Sequence, residues 1–406
     1  MASAAHTHQP RAVVVGGGIG GLTAALALQL RGWRVTVLER ARELKPVGAG
    51  ISLAPNAQRA LDVVGLGDEI RSLAAWEGDG GLLTPRGRWL SRANPRLATE
   101  RFGDSLVLLH RATLVDLLAG RLVGDVVRTA SDARLTDPGD PSDPARPARV
   151  TTPEGELEAE LVVGADGIRS AVRGALFPEH PGTAYSGFTT WRVLVPPLDR
   201  PFTQHETWGP GHLWGTHPFA DGTIYAYAAA MTPAGGRAPD GDEKAELLRR
   251  YGSWHDPIPA ILDAVRPGQV LRHDVHHIAE PLPAFHRGRV ALLGDAAHAM
   301  APTLGQGGNQ AVEDAIVLAH HAAPDAPLDL AGYTGVRQPR TTMVARRAMA
   351  VSRMNMLGNR PGIALRNTAI RAVGLLGPAL LLRGMDGIAD WHPPQPHPYA
   401  EQVEQV

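Results

Sequence analysis

The chain has 406 residues, of which 44% are hydrophobic, so it can bury a large core and is expected to form more than one domain. Its formal net charge of −1 shows no overall excess of positive charge that would favour binding to nucleic acid or to an anionic membrane. The absence of cysteine excludes a disulfide framework, a Cys-based zinc site and the pyridine-nucleotide disulfide reductases, which need a redox-active dithiol.

The N-terminal part carries a complete βαβ pattern for binding a dinucleotide. Residues 13–15 are typical of a buried strand, the motif Gly16-x-Gly18-x-x-Gly21 opens a helix, and residues 35–38 form a second strand before Glu39. The glycines provide the tight turn, close approach of a pyrophosphate and helix packing, while the acid binds ribose hydroxyls. Glu39 would repel a 2′-phosphate, so NADP is not expected in this pocket.

Short strands, turns and helices are predicted after this unit. Residues 44–53 are rich in glycine, and residues 56–64 have helical periodicity. The segment 80–90 has two strand-like stretches broken by Pro85-Arg86-Gly87, which is typical of a hairpin.

The next part is expected to begin with a helix at His110-Arg111 and to continue as a β-meander over 126–163. Prolines across 137–147 cannot donate the backbone hydrogen bonds that join neighbouring strands, so this stretch predicts an exposed, mobile hairpin loop. The segment 161–173 then repeats the order of strand, turn and helix, with an Asp166-Gly turn.

Residues 185–230 have a different pattern. Stretches of strand length, rich in aromatic and β-branched residues, are separated by glycine and proline, which predicts an antiparallel sheet; helices near 241–251 and 257–265 are expected to close it. Arg192 could contact an anionic substrate or form a salt bridge along its strand. Five aromatic side chains could line a ligand cavity or form ordinary core: Trp191, Trp208, Trp214, Tyr225 and Tyr227.

Three histidines lie together further along the chain. On a strand, His273 and His277 face one way and His276 faces the other, so they do not converge as ligands. No metal site is predicted.

The stretch 290–309 predicts a ligand site. Its first residues are typical of a buried strand, Asp295 follows the strand, and glycines 305, 307 and 308 let backbone N–H groups approach an anion before a helix expected over 310–323. A carboxylate beside an anion site suits a ligand whose hydroxyl groups adjoin a pyrophosphate, as in a ribityl chain.

The C-terminal part is expected to be helical from 333 to about 391, with interruptions at Pro339, Pro361 and Pro378. Residues 363–382 are apolar but contain arginine and proline, so they are not expected to span a membrane. We expect this segment to pack on the nucleotide-binding domain, and a shallow membrane contact is the alternative.

Together, the glycine motif at 16–21, the Asp166-Gly turn and the 294–309 stretch resemble the flavoprotein monooxygenases of the para-hydroxybenzoate hydroxylase type, most closely the branch of salicylate, 3-hydroxybenzoate and urate hydroxylases. The resemblance implies an α/β fold in which a Rossmann-like FAD-binding domain of the glutathione reductase type is interleaved with an α+β substrate domain containing an antiparallel sheet. The implied boundaries are 1–78, 101–182 and 285–330 for the FAD-binding domain, 79–100 (a hairpin) and 183–284 for the substrate domain, and 331–406 for a C-terminal helical region.

The same resemblance implies tightly but non-covalently bound FAD, with NAD(P)H and O2 as co-substrates. No second GxGxxG follows a strand, so the nicotinamide nucleotide is expected to bind transiently. Reduced flavin would form a hydroperoxide with O2 and transfer one oxygen atom to an aromatic or other electron-rich small molecule, by hydroxylation or epoxidation.

Roles for individual residues follow from the resemblance. Asp295 should anchor the ribityl chain, Arg111 should lie near the phosphates, and residues 48–51 should pass the isoalloxazine edge unless they form a plain glycine loop. His298 should lie near the flavin, or else be bonded to backbone. The predicted catalytic residues are Arg192 and Pro302. The predicted cofactor-binding residues are Gly16, Gly18, Ile19, Gly20, Gly21, Glu39, Arg40, Gly50, Ser52, Arg111, Ala133, Asp166, Asp295, Gly305, Gly307, Gly308 and Asn309.

Two other classes stay open at this point. One is a flavin-dependent reductase, dehydrogenase or halogenase-like flavoenzyme without oxygen insertion, although the WxWxIP motif of halogenases is missing. The other is a non-enzymatic flavin-binding protein. The expected partner is an aromatic or lipophilic small molecule, with no nucleic acid and no stable membrane insertion. We expect a monomer or homodimer, and the first ten residues lack an apolar signal core, which predicts cytoplasmic residence.

Overall fold

The computed structural model describes residues 9–44, 50–74, 80–266, 268–377, 380 and 382–394. In chain order the strands are β1 (Arg11–Val15), β2 (Arg34–Leu38), β3 (Gly50–Leu53), β4 (Gly80–Leu83), β5 (Trp89–Ala93), β6 (Val107–His110), β7 (Val127–Arg128), β8 (Arg134–Asp137), β9 (Ala148–Thr152), β10 (Gly155–Ala159), β11 (Leu161–Gly164), β12 (Thr183–Val195), β13 (His205–Trp208), β14 (His212–Pro218), β15 (Ile224–Met231), β16 (Leu271–Ile278), β17 (His286–Arg287) and β18 (Val290–Leu292). The α-helices are α1 (Ile19–Leu30), α2 (Pro55–Asp62), α3 (Gly67–Ser72), α4 (Pro95–Phe102), α5 (Arg111–Gly120), α6 (Ala171–Leu176), α7 (Glu243–Tyr251), α8 (Ile258–Ala264), α9 (Asp295–His298), α10 (Gln306–His321), α11 (Leu330–Asn355) and α12 (Arg360–Leu376).

The first sheet has the strand order β17-β18-β11-β1-β2-β7, and its pairs are parallel except for β17 with β18. The central strands are buried on both faces, as their continuous runs of valine and leucine predict for a parallel sheet. Helices α1 and α10 pack against each other and against this sheet. The strands and the helix predicted from the N-terminal motif are therefore confirmed.

The second sheet has the order β16-β12-β15-β14-β13-β4-β5 and is antiparallel except for the β13/β4 pair. The predicted hairpin at 80–90 is thus an edge of this sheet. One sheet face packs on α7 and α8, the two helices predicted to close it. The chain crosses between the two sheets repeatedly, which is the interleaved α/β architecture expected from the sequence. The individual domain boundaries stay a prediction.

The proline-rich connection between β8 and β9 is the predicted hairpin loop, and it is partly exposed but also tied to the rest of the protein. The buried Arg289 guanidinium donates hydrogen bonds to the carbonyl oxygens of Asp140, Asp143 and Arg146. Its backbone N–H also donates to the Pro138 carbonyl. Donors that lie far away in the sequence hold this turn, so a local sequence pattern could not predict these hydrogen bonds.

The C-terminal helices correct two predictions and confirm a third. Pro339 does not interrupt α11, because the buried contacts of Arg337 and Thr341 on either side hold the helix despite the missing backbone donor. The interruption predicted at Pro361 is present, since α11 ends at Asn355 and Pro361 lies in the first turn of α12, where a proline costs no hydrogen bond. Pro378 lies outside the described residues. Helix α12 packs on β5, at the edge of the second sheet, and not on the nucleotide-binding sheet.

Candidate active site

A cleft opens at the carboxyl ends of β1, β2, β11 and β18, where a doubly wound sheet binds its ligand. Three glycines of the motif have different roles there. A Cβ on Gly16 would lie 2.4 Å from the Ala165 oxygen, and one on Gly21 would lie 2.0 Å from the Gly16 oxygen. Close packing of the backbone therefore leaves space only for glycine at both positions. Gly18 is the N-cap residue of α1. No atom lies within 4 Å of its Cβ position, which leaves room for a phosphate at the helix N-terminus.

Glu39 lies at the end of β2 and lines the cleft. Its carboxylate accepts hydrogen bonds from the backbone N–H groups of Gly17 (2.7 Å) and Ala41 (2.8 Å). These bonds fix the carboxylate beside the glycine loop, and carboxylate oxygens accept further hydrogen bonds from sugar hydroxyls.

The Asp166-Gly turn forms the part of the wall next to the glycine motif, because β11 pairs directly with β1. The Asp166 carboxylate accepts hydrogen bonds from the backbone N–H groups of Ala171 (2.7 Å) and Val172 (3.1 Å), so it caps α6. Arg173 donates to the carbonyl oxygens of Ile168 and Ala296 and thereby ties this turn to α9. Asp166 thus organises the wall as well as lining it.

Asp295 follows β18 with its side chain exposed to the cleft. The preceding Gly294 has φ +58°, and its N–H donates to the buried Asp314 carboxylate (2.8 Å). In the described residues the Asp295 carboxylate receives no hydrogen bond, whereas its backbone oxygen accepts one from Arg173. It is therefore a fixed charge whose hydrogen-bonding capacity is free for a ligand.

Arg111 opens α5 on the same cleft. Its side chain is open to the cleft, but the surrounding protein atoms desolvate it. This desolvation lowers the pKa of the Arg111 guanidinium. The Asp295 carboxylate opposes the decrease, and the positive charge of Arg192 adds to it. None of the described residues accepts a hydrogen bond from it. A desolvated, unpaired guanidinium beside an unpaired carboxylate suits a ligand that carries both phosphate and hydroxyl groups.

A buried ionic cluster lies beneath Asp295 and supports it. Asp314 accepts a hydrogen bond from Arg337 Nε (2.6 Å) and is 2.5 Å from His298 Nε2, and all three side chains are buried. Burial opposes ionisation of Asp314, but His298 and Arg337 overcome it and lower the pKa of that carboxyl to about 2. The prediction that His298 is bonded to backbone is wrong, because its partner is a carboxylate from α10; its nearness to the flavin stays a prediction.

The glycine-rich stretch after β18 also differs in detail. Helix α10 begins at Gln306, so Gly307 and Gly308 lie in its first turn and not in a preceding loop. The Asn309 side chain accepts from the Ala54 N–H (2.8 Å) and donates to the carbonyl oxygens of Ser52 and Gly305. Asn309, Ser52 and Gly305 therefore join α10 to β3 at the rim of the site.

The second sheet contributes a row of polar side chains on the face opposite α7 and α8. Across the sheet Arg192 pairs with Tyr227, Tyr227 with Gly215, and Gly215 with Glu206, so their side chains share one face. A Cβ on Gly215 would lie 2.2 Å from the Tyr227 ring, which passes over this glycine to donate from its hydroxyl to Glu206 (2.9 Å). We call Arg192, Tyr227, Gly215 and Glu206 the polar row.

Apolar side chains pack beside the polar row. Phe188, Trp208, Leu213 and Ala229 pack with Ala301, which precedes the predicted Pro302. Burial raises the pKa of the Glu206 carboxyl, although Trp208 and Tyr227 donate hydrogen bonds that oppose the shift. The aromatic residues thus divide between the faces. Trp191 and Trp214 are core against α7 and α8, whereas Trp208, Tyr225 and Tyr227 lie on the polar-row side.

The structure brings most of the predicted cofactor residues into the cleft wall. Gly21, Gly50, Ser52, Gly305 and Asn309 lie outside that wall, and residues 48 and 49 of the predicted isoalloxazine segment lie outside the described residues. The predicted residues in the wall are Gly16, Gly18, Ile19, Gly20, Glu39, Arg40, Arg111, Ala133, Asp166, Asp295, Gly307 and Gly308.

Sequence reasoning missed several wall residues, among them Ser131, Asp132 and Arg169. Arg169 follows the Asp166-Gly turn, and its place in that motif could have indicated it. Ser131 and Asp132 follow a two-residue strand, β7, which has no periodicity to detect.

Two further features of the described residues concern ligands and membranes. They contain no group of three or more His, Asp or Glu side chains that could hold a metal ion. Within β16, His277 contacts Ser186 Oγ (2.9 Å) and His276 contacts the Asp274 carbonyl. None of the helices in these parts of the chain is long and apolar enough to cross a bilayer.

The cleft and the interleaved sheets define a flavoprotein in which a Rossmann-type sheet binds FAD. The family model described as "FAD binding domain" matches residues 9–324. The aurachin C monooxygenase/isomerase of Stigmatella aurantiaca is 39% identical over 81% of this chain and 85% of its own. The FAD-dependent urate hydroxylase of Klebsiella pneumoniae is 32% identical over 76% of this chain and 80% of its own.

Among solved structures, Klebsiella pneumoniae HpxO complexed with FAD and uric acid superimposes with a TM-score of 0.84, at 26% identity over 95% of this chain and 96% of that one. The chain belongs to the FAD-dependent monooxygenases of the para-hydroxybenzoate hydroxylase type. It is an oxidoreductase that uses NAD(P)H and O2 and acts on a small molecule.

Proposed function

We propose that the enzyme oxygenates an aromatic small molecule with apolar substituents, held between the FAD cleft and the polar row. The observation that carries this proposal is the position of Arg192, Tyr227 and Glu206 on a sheet face whose apolar side chains pack on the Ala301 segment. A pocket of this composition excludes water while a few polar groups orient the ligand.

We assign FAD binding to three charged residues. Asp295 would accept hydrogen bonds from ribityl hydroxyls, Arg111 would pair with the pyrophosphate, and Glu39 would bind the adenosine ribose. When bound, FAD supplies the redox chemistry and the activation of O2. Pro302 and the backbone of Gly307 and Gly308 would lie against the ring system.

The polar row defines the hydrogen-bonding pattern of the substrate. Tyr227 donates its hydroxyl proton to Glu206, so the Tyr227 oxygen is left to accept from a substrate O–H or N–H. Arg192, its neighbour across the strand pair, would donate to a substrate carbonyl or oxyanion. A hydroxyl or N–H close to a carbonyl on an aromatic ring matches both partners.

Assignment of Tyr227 is tested by a Tyr227→Phe variant, assayed with a compound that stimulates NAD(P)H oxidation. Removing the acceptor should raise KM for that compound by about 5- to 150-fold, since a lost hydrogen bond to a buried partner costs about 1–3 kcal/mol. Oxidation of NAD(P)H without substrate should not change.

Tyr251→Phe provides a matched control, because this buried hydroxyl lies on the opposite side of the sheet and donates to the Ala229 carbonyl. Equal KM values for the wild type and Tyr227→Phe would contradict the assignment of the polar row. Monomer or dimer formation and cytoplasmic residence stay predictions from the sequence.

A further inference from the structure

The outward face of α12 is apolar over its whole length. Residues at the spacing of one helix face are exposed, and Leu365 and Leu375 keep 74% and 89% of their side-chain exposure. Most exposed leucines occur singly, whereas these two belong to a continuous strip along about 25 Å of helix. The outer face consists of Pro361, Leu365, Thr368, Ala369, Ala372 and Leu375.

The sequence after α12 extends the apolar character. Residues 375–382 read Leu-Leu-Gly-Pro-Ala-Leu-Leu-Leu and contain no polar side chain. Thr368 is the one polar side chain in the outer face itself.

Arginine borders this face. Between Asp329 and Asp386 the sequence contains nine arginines and no Asp, Glu or Lys, although about one residue in ten of the whole chain is acidic (41 of 406). The first two of these arginines are ion-paired with acidic residues of α10, so the excess near α12 comes from the others. Arg360 and Arg371 are exposed, and at about 100° per residue they lie along one rim of the outer face. The neutral net charge of the chain conceals this local excess.

We propose that the outer face of α12 docks on an anionic lipid bilayer. An apolar helix strip bordered by arginine matches the acyl boundary and the negatively charged headgroups of such a surface. A second copy of the chain is disfavoured as the occupant, because an antiparallel two-fold contact of the two helices would bring the arginine rims together. The helix lies in the surface and does not cross it.

The position of α12 relates this surface to the active site. Its buried face carries Arg366, which lies over the Trp208 ring (5.4 Å) and donates to the carbonyl oxygens of Met354 and Asn355. Trp208 in turn donates to Glu206 of the polar row. Docking would therefore hold the substrate side of the second sheet next to the bilayer, where a lipophilic substrate is concentrated.

Flotation of the FAD-loaded enzyme with phospholipid vesicles tests the proposal and needs no substrate, so its result is independent of the proposed function. The enzyme should float with phosphatidylcholine vesicles that contain phosphatidylglycerol, and high salt should weaken this binding. Arg371→Gln should weaken binding about fivefold, the effect of removing one arginine near a charged surface. Leu365→Glu and Leu375→Glu should each abolish flotation.

Val123→Glu is the matched control, since Val123 is 78% exposed in a loop outside α12, and it should float like the wild type. Light scattering of each variant reports the oligomeric state. Absence of flotation at low salt, equal binding to neutral and anionic vesicles, or a dimer that Leu365→Glu dissociates would each overturn the proposal.

Discussion

Asp295 and Arg111 are the charged side chains on which the cofactor assignment depends. Both line the cleft, they interact electrostatically with each other, and neither makes a side-chain hydrogen bond in the part of the chain that the structure describes. Both side chains are exposed to the cleft, so their free hydrogen-bonding capacity suits a ligand that carries hydroxyl and phosphate groups.

Replacing Asp295 by Ala should weaken FAD binding. Hydrogen bonds to a charged group contribute about 1.5 to 3 kcal/mol each, so the dissociation constant should rise roughly 10- to 150-fold. Titration of apoenzyme with FAD, followed by flavin fluorescence, measures the change. Asp263→Ala, an exposed change in α8, serves as the control. An unchanged constant for Asp295→Ala would show that the ribityl chain is anchored elsewhere.

At the scale of elements, the ionic cluster links α10 and α11 to the loop that carries Asp295. Asp314 joins His298, Arg337 and the Gly294 N–H, so one carboxylate fixes a helix pair and the end of β18 together. The loss of one partner would leave Arg337, fully buried, without one of its two carboxylate partners.

Asp314→Asn should therefore destabilise the protein by about 3 to 5 kcal/mol, the usual cost of breaking a buried ion pair. Urea unfolding followed by tryptophan fluorescence measures this loss. Asp263→Asn is the control for a change of the same kind at the surface. A loss below about 1 kcal/mol would mean that the cluster is not essential to the packing of α10 on α11.

The elements that sequence patterns predicted are those specified by local signals. A run of valines beside a glycine motif defines β1 and α1. Stretches rich in aromatic residues and separated by glycines define β12 to β15. The polar row was not predictable, because Arg192, Tyr227 and Glu206 come from three strands and meet only through their register. Glu206 itself looks like an ordinary exposed strand residue until its partners are known.

The same limit explains the errors in the C-terminal part. Local propensity places a break at Pro339, but the contacts that keep α11 continuous come from Glu313 and Asp314 on another helix. His298 has an unremarkable alanine-rich neighbourhood in sequence, and its partner lies 16 residues further on.

For the whole molecule, buried histidine makes stability depend on pH. His205 is 4% exposed and its Nε2 has no hydrogen-bond partner, and burial lowers its pKa to about 4. The unfolded chain binds a proton on this histidine below about pH 6.5, whereas the folded chain does so only below about pH 4. The unfolded state therefore gains protons first, and stability is lost as the pH falls through this window.

His205→Gln should remove this part of the pH dependence. Between pH 6.5 and 4.5 the wild type should lose about 2 kcal/mol more unfolding free energy than the variant. His392→Gln, a change at an exposed histidine, should keep the wild-type slope. The same slope in His205→Gln as in the wild type would mean that this histidine is protonated in the folded state.

The most direct test of the account as a whole is the fate of dioxygen. A compound that accelerates NAD(P)H oxidation at least about tenfold, which needs only ~1.4 kcal/mol of barrier lowering, identifies a substrate. Turnover of that substrate under ¹⁸O2, followed by mass spectrometry, should give a product with one labelled oxygen atom, and the other oxygen atom should appear as water. A product that forms at the same rate but carries no label would contradict oxygen insertion and indicate a reductase or dehydrogenase built on the same fold.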